Sequence, residues 1–177
     1  MQFELKSISD QSIPEALAKV ERYRLLNEPS LAESICLDIL AIVPDHKEAL
    51  ISLLLARTDQ FDSSHTHVKR AQEVLTQLKG EYERAYYQGI IWERMGHARI
   101  HHGGTGAGAS AYHALRDAMD QYEKAMKFAI PGNDDAILRW NTCARVITQN
   151  PDIRPVPENE PAEVWAHDEA GSRIADA

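Results

Sequence analysis

Apolar residues recur at spacings of three and four along most of the chain. Leu31, Ile35, Ile39 and Ile42 form one such row; Val68, Ala71, Val74 (or Leu75) and Leu78 form another. This period matches the turn of an α-helix, so each segment is expected to bury one face. The pattern predicts helices over about 12–26, 30–43, 46–58, 64–79, 81–101, 110–129 and 134–149. The alternation that marks a strand occurs only in Phe3-Glu4-Leu5, which is too short for a sheet. The expected fold class is all-α.

The helix starts carry a second pattern. Ser12-Ile-Pro-Glu15 reads as a capping box, with Pro14 in the first turn, where no amide donor is needed. Ser30-Leu-Ala-Glu33 repeats the device and Asp45-His-Lys-Glu48 is a looser copy. Odd-numbered helices are expected to start near residues 12, 46, 81 and 134. The first two steps are about 34 and 35 residues. The third is about 53, one period plus an insertion of about 19 placed at roughly 97–115. An antiparallel helix-pair solenoid of three pairs with a C-terminal capping helix accounts for these steps.

In the third pair, Tyr82-Glu-Arg-Ala-Tyr-Tyr-Gln-Gly89-Ile-Ile-Trp92-Glu-Arg-Met-Gly96 is followed by Ala118-Met-Asp-Gln-Tyr122-Glu-Lys-Ala125. With these residues the chain resembles the tetratricopeptide repeat (TPR) family over about 13–149. Gly89 falls on the family's small position, Trp92 on its aromatic one and Gly96 on its turn glycine. Tyr23, Ala32, Ile39 and Pro44 match in the first pair. In the second pair Leu50, Leu53 and Ala56 fit, Leu54 replaces a small residue, and the closing proline is missing. The resemblance implies a concave surface lined by the first helix of each pair. Carried over, its partner-binding positions are Leu17, Glu21 and Arg24, then Ile51, Leu55 and Thr58, then Tyr86, Ile90 and Glu93. The Lys and Asn set with which chaperone-binding members clamp a peptide carboxylate is absent. The groove expected from these residues is aliphatic with one aromatic, suited to an amphipathic helix or an apolar peptide anchor.

Length and charge narrow the classes. The chain has 177 residues, 44% of them hydrophobic, enough for one domain with a core and a tail. Nineteen Lys and Arg stand against 27 Asp and Glu, a net charge of −8, which argues against wrapping nucleic acid. Two cysteines, Cys36 and Cys143, cannot build a disulfide framework. The start shows no basic region followed by an apolar run, and no apolar stretch has the length of a membrane span. A cytoplasmic location is expected. The helical domain is drawn as 1–149 and an extended acidic, proline-rich tail as 150–177. The tail holds four of the eight prolines and a local charge of −5. Its one apolar spot, Val164-Trp165, is the expected anchor of a short linear motif.

Two constellations invite chemistry. His101-His-Gly-Gly-Thr-Gly-Ala-Gly-Ala-Ser110 is rich in glycine, but no Lys-Ser or Lys-Thr follows as a phosphate loop requires. Gly104-Thr-Gly106-Ala-Gly-Ala109 matches a dinucleotide pattern without the strand that must precede it. The stretch therefore reads as a flexible loop lengthening the turn of the third pair, whose helices the insertion extends outward with the glycines at the tip, and Ser110 is expected to cap the next helix. Glu93, His97 and His101 recur every four residues on one helix face, the alternative metal-binding reading. No nucleophile elbow or paired catalytic motif is visible. The leading expectation is a non-enzymatic scaffold or adaptor without a cofactor. It binds a partner protein or peptide through the groove or the tail, as a subunit of a multi-protein complex would. The alternative is a ligand- or metal-binding module built on the Gly/His-rich insertion.

Overall fold

The structure, a computed structural model, describes residues 3–61 and 65–156. Among these residues, seven α-helices follow a 3-10 turn at Asp10–Ser12: α1 (Ile13–Leu25), α2 (Pro29–Ile42), α3 (Lys47–Thr58), α4 (His65–Leu75), α5 (Glu81–His102), α6 (Ala107–Met126) and α7 (Asp135–Gln149). Among the described residues there is no strand, and Phe3 and Leu5 stand in solvent. Within the same residues, no helix is long and apolar enough to cross a membrane.

Six of these helices begin within a residue of where the periodicity places them and α6 begins three residues early, but two of the expected caps do not form. The Ser12 hydroxyl turns back and donates to the carbonyl of Ser9 at 2.7 Å. α2 starts one residue early, with Pro29 in its first turn, and Ser30 lies inside it. The third N-terminus is capped by a residue the sequence pattern did not assign: His46 Nδ1 accepts from the Ala49 amide at 3.3 Å. α4 ends at Leu75 because Thr76–Leu78 closes as a turn, which still buries Leu78.

The insertion is mostly helix. α5 runs to His102 and α6 starts at Ala107, so only 103–106 remain as a connection. Gly103, Gly104 and Gly106 all take positive φ (65°, 94° and 76°), a conformation L side chains rarely adopt. Gly106 occupies the cap position and Ser110 falls inside α6, so its expected capping role is not realised.

Each helix packs on the next, and α1 also touches α3, as α3 touches α5. One apolar core spans α1 to α5 around Val20, Cys36, Leu54, Val74 and Ile91. A second joins α5, α6 and α7 around Ile90, Leu115, Tyr122 and Cys143. The closest approach is between α5 and α6. A Cβ on Gly89 would lie 2.5 Å from the Tyr122 ring, and one on Gly96 would lie 2.9 Å from Leu115 Cγ. Glycine at both positions lets the two long helices meet.

The chain after α7 does not leave the body at Asn150 as drawn from composition. Ile153 is buried in the second core, and the Asp152 carbonyl rests directly on Gly108 of α6. Gly108→Ala would press a methyl into that backbone carbonyl. The expected result is a loss of about 1–3 kcal/mol by thermal or denaturant melting. Release of Ile153 should also speed hydrogen exchange of its amide, which donates to the Asn150 carbonyl at 2.9 Å. Unchanged melting and exchange would mean that this segment is not held by α6.

Candidate functional site

The nine groove positions divide between core and surface. Ile90 is buried in the second core, beside the close approach at Gly89. Thr58 is buried and donates its hydroxyl to the carbonyl of Leu55 at 2.8 Å. Leu17 packs against the small cluster of Ile13, Ile39 and Ala49; Ile51 packs on the first core, and Leu55 lies between the first and second. Tyr86 stacks on Tyr82 at 5.6 Å between ring centres and tilts against Tyr122 at 5.8 Å. These positions therefore do not form one open aliphatic groove. Glu21 is exposed, while Arg24 and Glu93 enter charge networks.

Those networks frame the open space. Arg24, in the last turn of α1, donates Nε–H to Asp59 Oδ2 at 2.8 Å. The Arg94 guanidinium of α5 lies 3.4 Å from the other oxygen of Asp59. Asp59 follows directly on α3, so one carboxylate links α1, α3 and α5. Glu93, one residue before Arg94, finds its partners on α6 and α7. Its Oε2 accepts from the Tyr122 hydroxyl at 2.5 Å, and its Oε1 from Arg139 Nη1 at 3.1 Å. His97 Nε2 lies 3.9 Å from the same Oε1.

Burial and this carboxylate tune the neighbours. Burial, then the Glu93 charge, pushes the Tyr122 phenol far above its ordinary range, so it stays a donor. Burial opposes the charge on Arg139, yet Glu93 together with the Tyr86 and Tyr122 phenols outweighs it and raises the guanidinium above its usual value. Burial lowers His97 below the ordinary histidine value; Glu93 pulls the other way and Arg94 adds to the lowering. Both cysteines are buried, with thiols pushed up to about 12, first by burial. Neither is a nucleophile at neutral pH.

Between the end of α3, the second half of α5 and Arg139 of α7 lies an open cleft of about 630 Å³. Thr58, Asp59 and Phe61 form one wall; Arg94, His97, Ala98, His101 and His102 form another. A second opening of about 340 Å³, at Glu21, Arg24, Leu25 and Asn27, shares Asp59 and Arg94 with the first. The two openings together lie along the C-terminal halves of α1, α3 and α5, further along than most of the expected groove residues. His97 and His101 both face it, but the oxygens of Glu93 are already taken by Tyr122 and Arg139. Among the described residues, no three His, Cys, Asp or Glu side chains are placed to hold a metal ion. Val164 and Trp165 lie outside the described residues.

Asp59, Arg94 and Arg139 were not singled out from sequence. A signal for two of them was present: Arg24, Asp59 and Arg94 follow each other at intervals of 35 residues with alternating charge. Comparison with known protein families, curated proteins and solved structures finds no match to this chain.

Two substitutions probe the site. Glu93→Gln keeps an acceptor for Tyr122 but leaves Arg139 without its charge partner. Because Arg139 is about one-third exposed and can turn to water, the expected cost is at the lower end for a broken buried pair, about 1–3 kcal/mol. Denaturant titration checks it, and an unchanged midpoint would remove Glu93 as the tie between α5, α6 and α7. His97 supplies a pH test. Its folded pKa is lowered, so below about pH 6.5 the unfolded chain takes up the proton first and stability falls. His97→Gln should flatten that part of the stability–pH curve relative to wild type. Identical slopes would contradict the burial of the imidazole.

Proposed function

We propose that the chain is a non-enzymatic interaction scaffold with a TPR-like architecture. In this reading it binds a protein or peptide segment along the C-terminal halves of α1, α3 and α5, up to Arg139 of α7. The observation that carries the proposal is the 630 Å³ cleft and its continuation across the Asp59–Arg94 contact. Their combined length and openness suit an extended segment better than an enclosed small molecule.

The repeat reading has support in spacing and contact. α1, α3 and α5 start at Ile13, Lys47 and Glu81, two steps of 34 residues. Ion pairs join residues about one step apart: Asp45 with Lys79, Arg24 with Asp59, and Lys47 with Glu83. Contacts of α1 with α3 and of α3 with α5 are those that stacked helix pairs would make.

The test uses exposed residues, so that folding is not at stake. Wild type and a Glu21→Lys, His101→Glu variant serve as baits in native lysate, and a captured protein is then titrated against both. The variant should bind at least about tenfold more weakly, equivalent to about 1.4 kcal/mol. Equal affinity would take the partner site away from this face.

A further inference from the structure

The groups left open in the cleft differ in kind from those buried beside it. Its two carboxylates are engaged: Asp59 faces Arg24 and Arg94, while Glu93 holds Tyr122 and Arg139. The Glu93 side chain is 4% exposed, whereas Arg94 and Arg139 are 39% and 36% exposed. Arg94 reaches Asp59 through Nη2 and Arg139 reaches Glu93 through Nη1, so each guanidinium retains further donors. His101 and His102 add exposed imidazoles at the rim. Forked donors in a partly shielded cleft select carboxylates.

The same chain carries a matching segment. Residues 157–177 contain Glu158, Glu160, Glu163, Asp168, Glu169 and Asp176 against a single Arg173, with Trp165 among them. Their point of departure is fixed. Ile153 is anchored beside Gly108, next to the turn that follows His101 and His102. Nine residues lead from Val156 to Trp165, a reach of roughly 30 Å when extended. A tether of this kind gives an effective concentration on the order of millimolar, so modest contacts suffice.

We propose that residues 157–177 dock in the cleft of their own chain, with their carboxylates on Arg94 and Arg139. The tail then competes with an external segment for the same donors. This rests on the reading of the face as a binding surface. The experiment follows the tail itself, so its failure is distinct from failure of partner capture.

His167→Cys places a thiol in the tail for a nitroxide label; the two native cysteines are buried and stay unlabelled. In the full chain, the amide signals of His97, His101 and Arg139 should broaden selectively, with Lys19 and Leu37 as references. The broadening should persist on dilution and weaken in high salt. It should vanish when Glu158→Gln, Glu160→Gln, Glu163→Gln, Asp168→Asn and Glu169→Gln are combined, a variant that changes no described residue. Uniform or absent broadening would overturn the proposal. Broadening lost on dilution would overturn it too, and would assign the cleft to the tail of a second copy.

Discussion

Glu93 is a carboxylate drawn almost wholly out of water in the middle of the longest helix. Left alone, such a charge costs several kcal/mol, so its partners must arrive from the protein. They come from two other helices, Tyr122 on α6 and Arg139 on α7. Tyr122 can reach only because residue 89 has no side chain: the tyrosine ring lies across Gly89, about one helical turn before Glu93. The order of dependence runs from Gly89 to Tyr122, to Glu93, and then to Arg139. Apolar packing is non-directional. The carboxylate adds a directional tie that holds Arg139 of α7 at 3.1 Å.

The same device recurs at the other junctions. Glu33 of α2 is buried and meets Arg57 of α3, Arg70 of α4 and the Gln60 amide. Asp59 joins α1, α3 and α5 through Arg24 and Arg94. These pairs differ in weight from the surface ones. Lys79–Asp45 is largely solvated on both sides and contributes at most about 1 kcal/mol. Asp59 and Arg24 are each about one-fifth exposed, so breaking them strands a charge with less water to receive it. Two arginines share each of Glu33 and Asp59, and no carboxylate uses all their donors. The architecture that fixes the helices thus leaves guanidinium donors facing the cleft.

Helix periodicity was legible because burial of one face follows directly from the 3.6-residue turn. α1, α5 and α7 begin within a residue of their expected starts. Caps were less legible, because a serine hydroxyl has several local acceptors and the sequence does not say which it takes. Ser12 chose the carbonyl of Ser9, and Ser30 reaches Gln60 at 3.3 Å. The site was legible by position and not by environment. Family register placed Ile90 and Glu93 on a binding face, but the approach of α6 through Gly89 and Gly96 covers both. The alternating charges at 24, 59 and 94 could have been found by comparing successive helix pairs. Arg139 could not, since the insertion shifts its register.

The glycines between residues 89 and 108 serve two separate physical needs. Gly103 and Gly104 have positive φ and open space where a side chain would stand; they are present for backbone conformation. Gly89, Gly96 and Gly108 have ordinary helical backbone and a neighbour where Cβ would be; they are present for distance. A sequence shows the same letter for both, and a dense run of them resembles a phosphate cradle. At Gly108 the group that uses the missing side chain is itself an acceptor, the carbonyl of Asp152. That carbonyl occupies the space by the first turn of α6 into which an anion would have to come. Its partner lies 44 residues away and is backbone, so no side-chain pattern could announce the contact. What the contact achieves is directional: with Ile153 locked into the second core, the chain beyond it starts from the hairpin tip that borders the cleft.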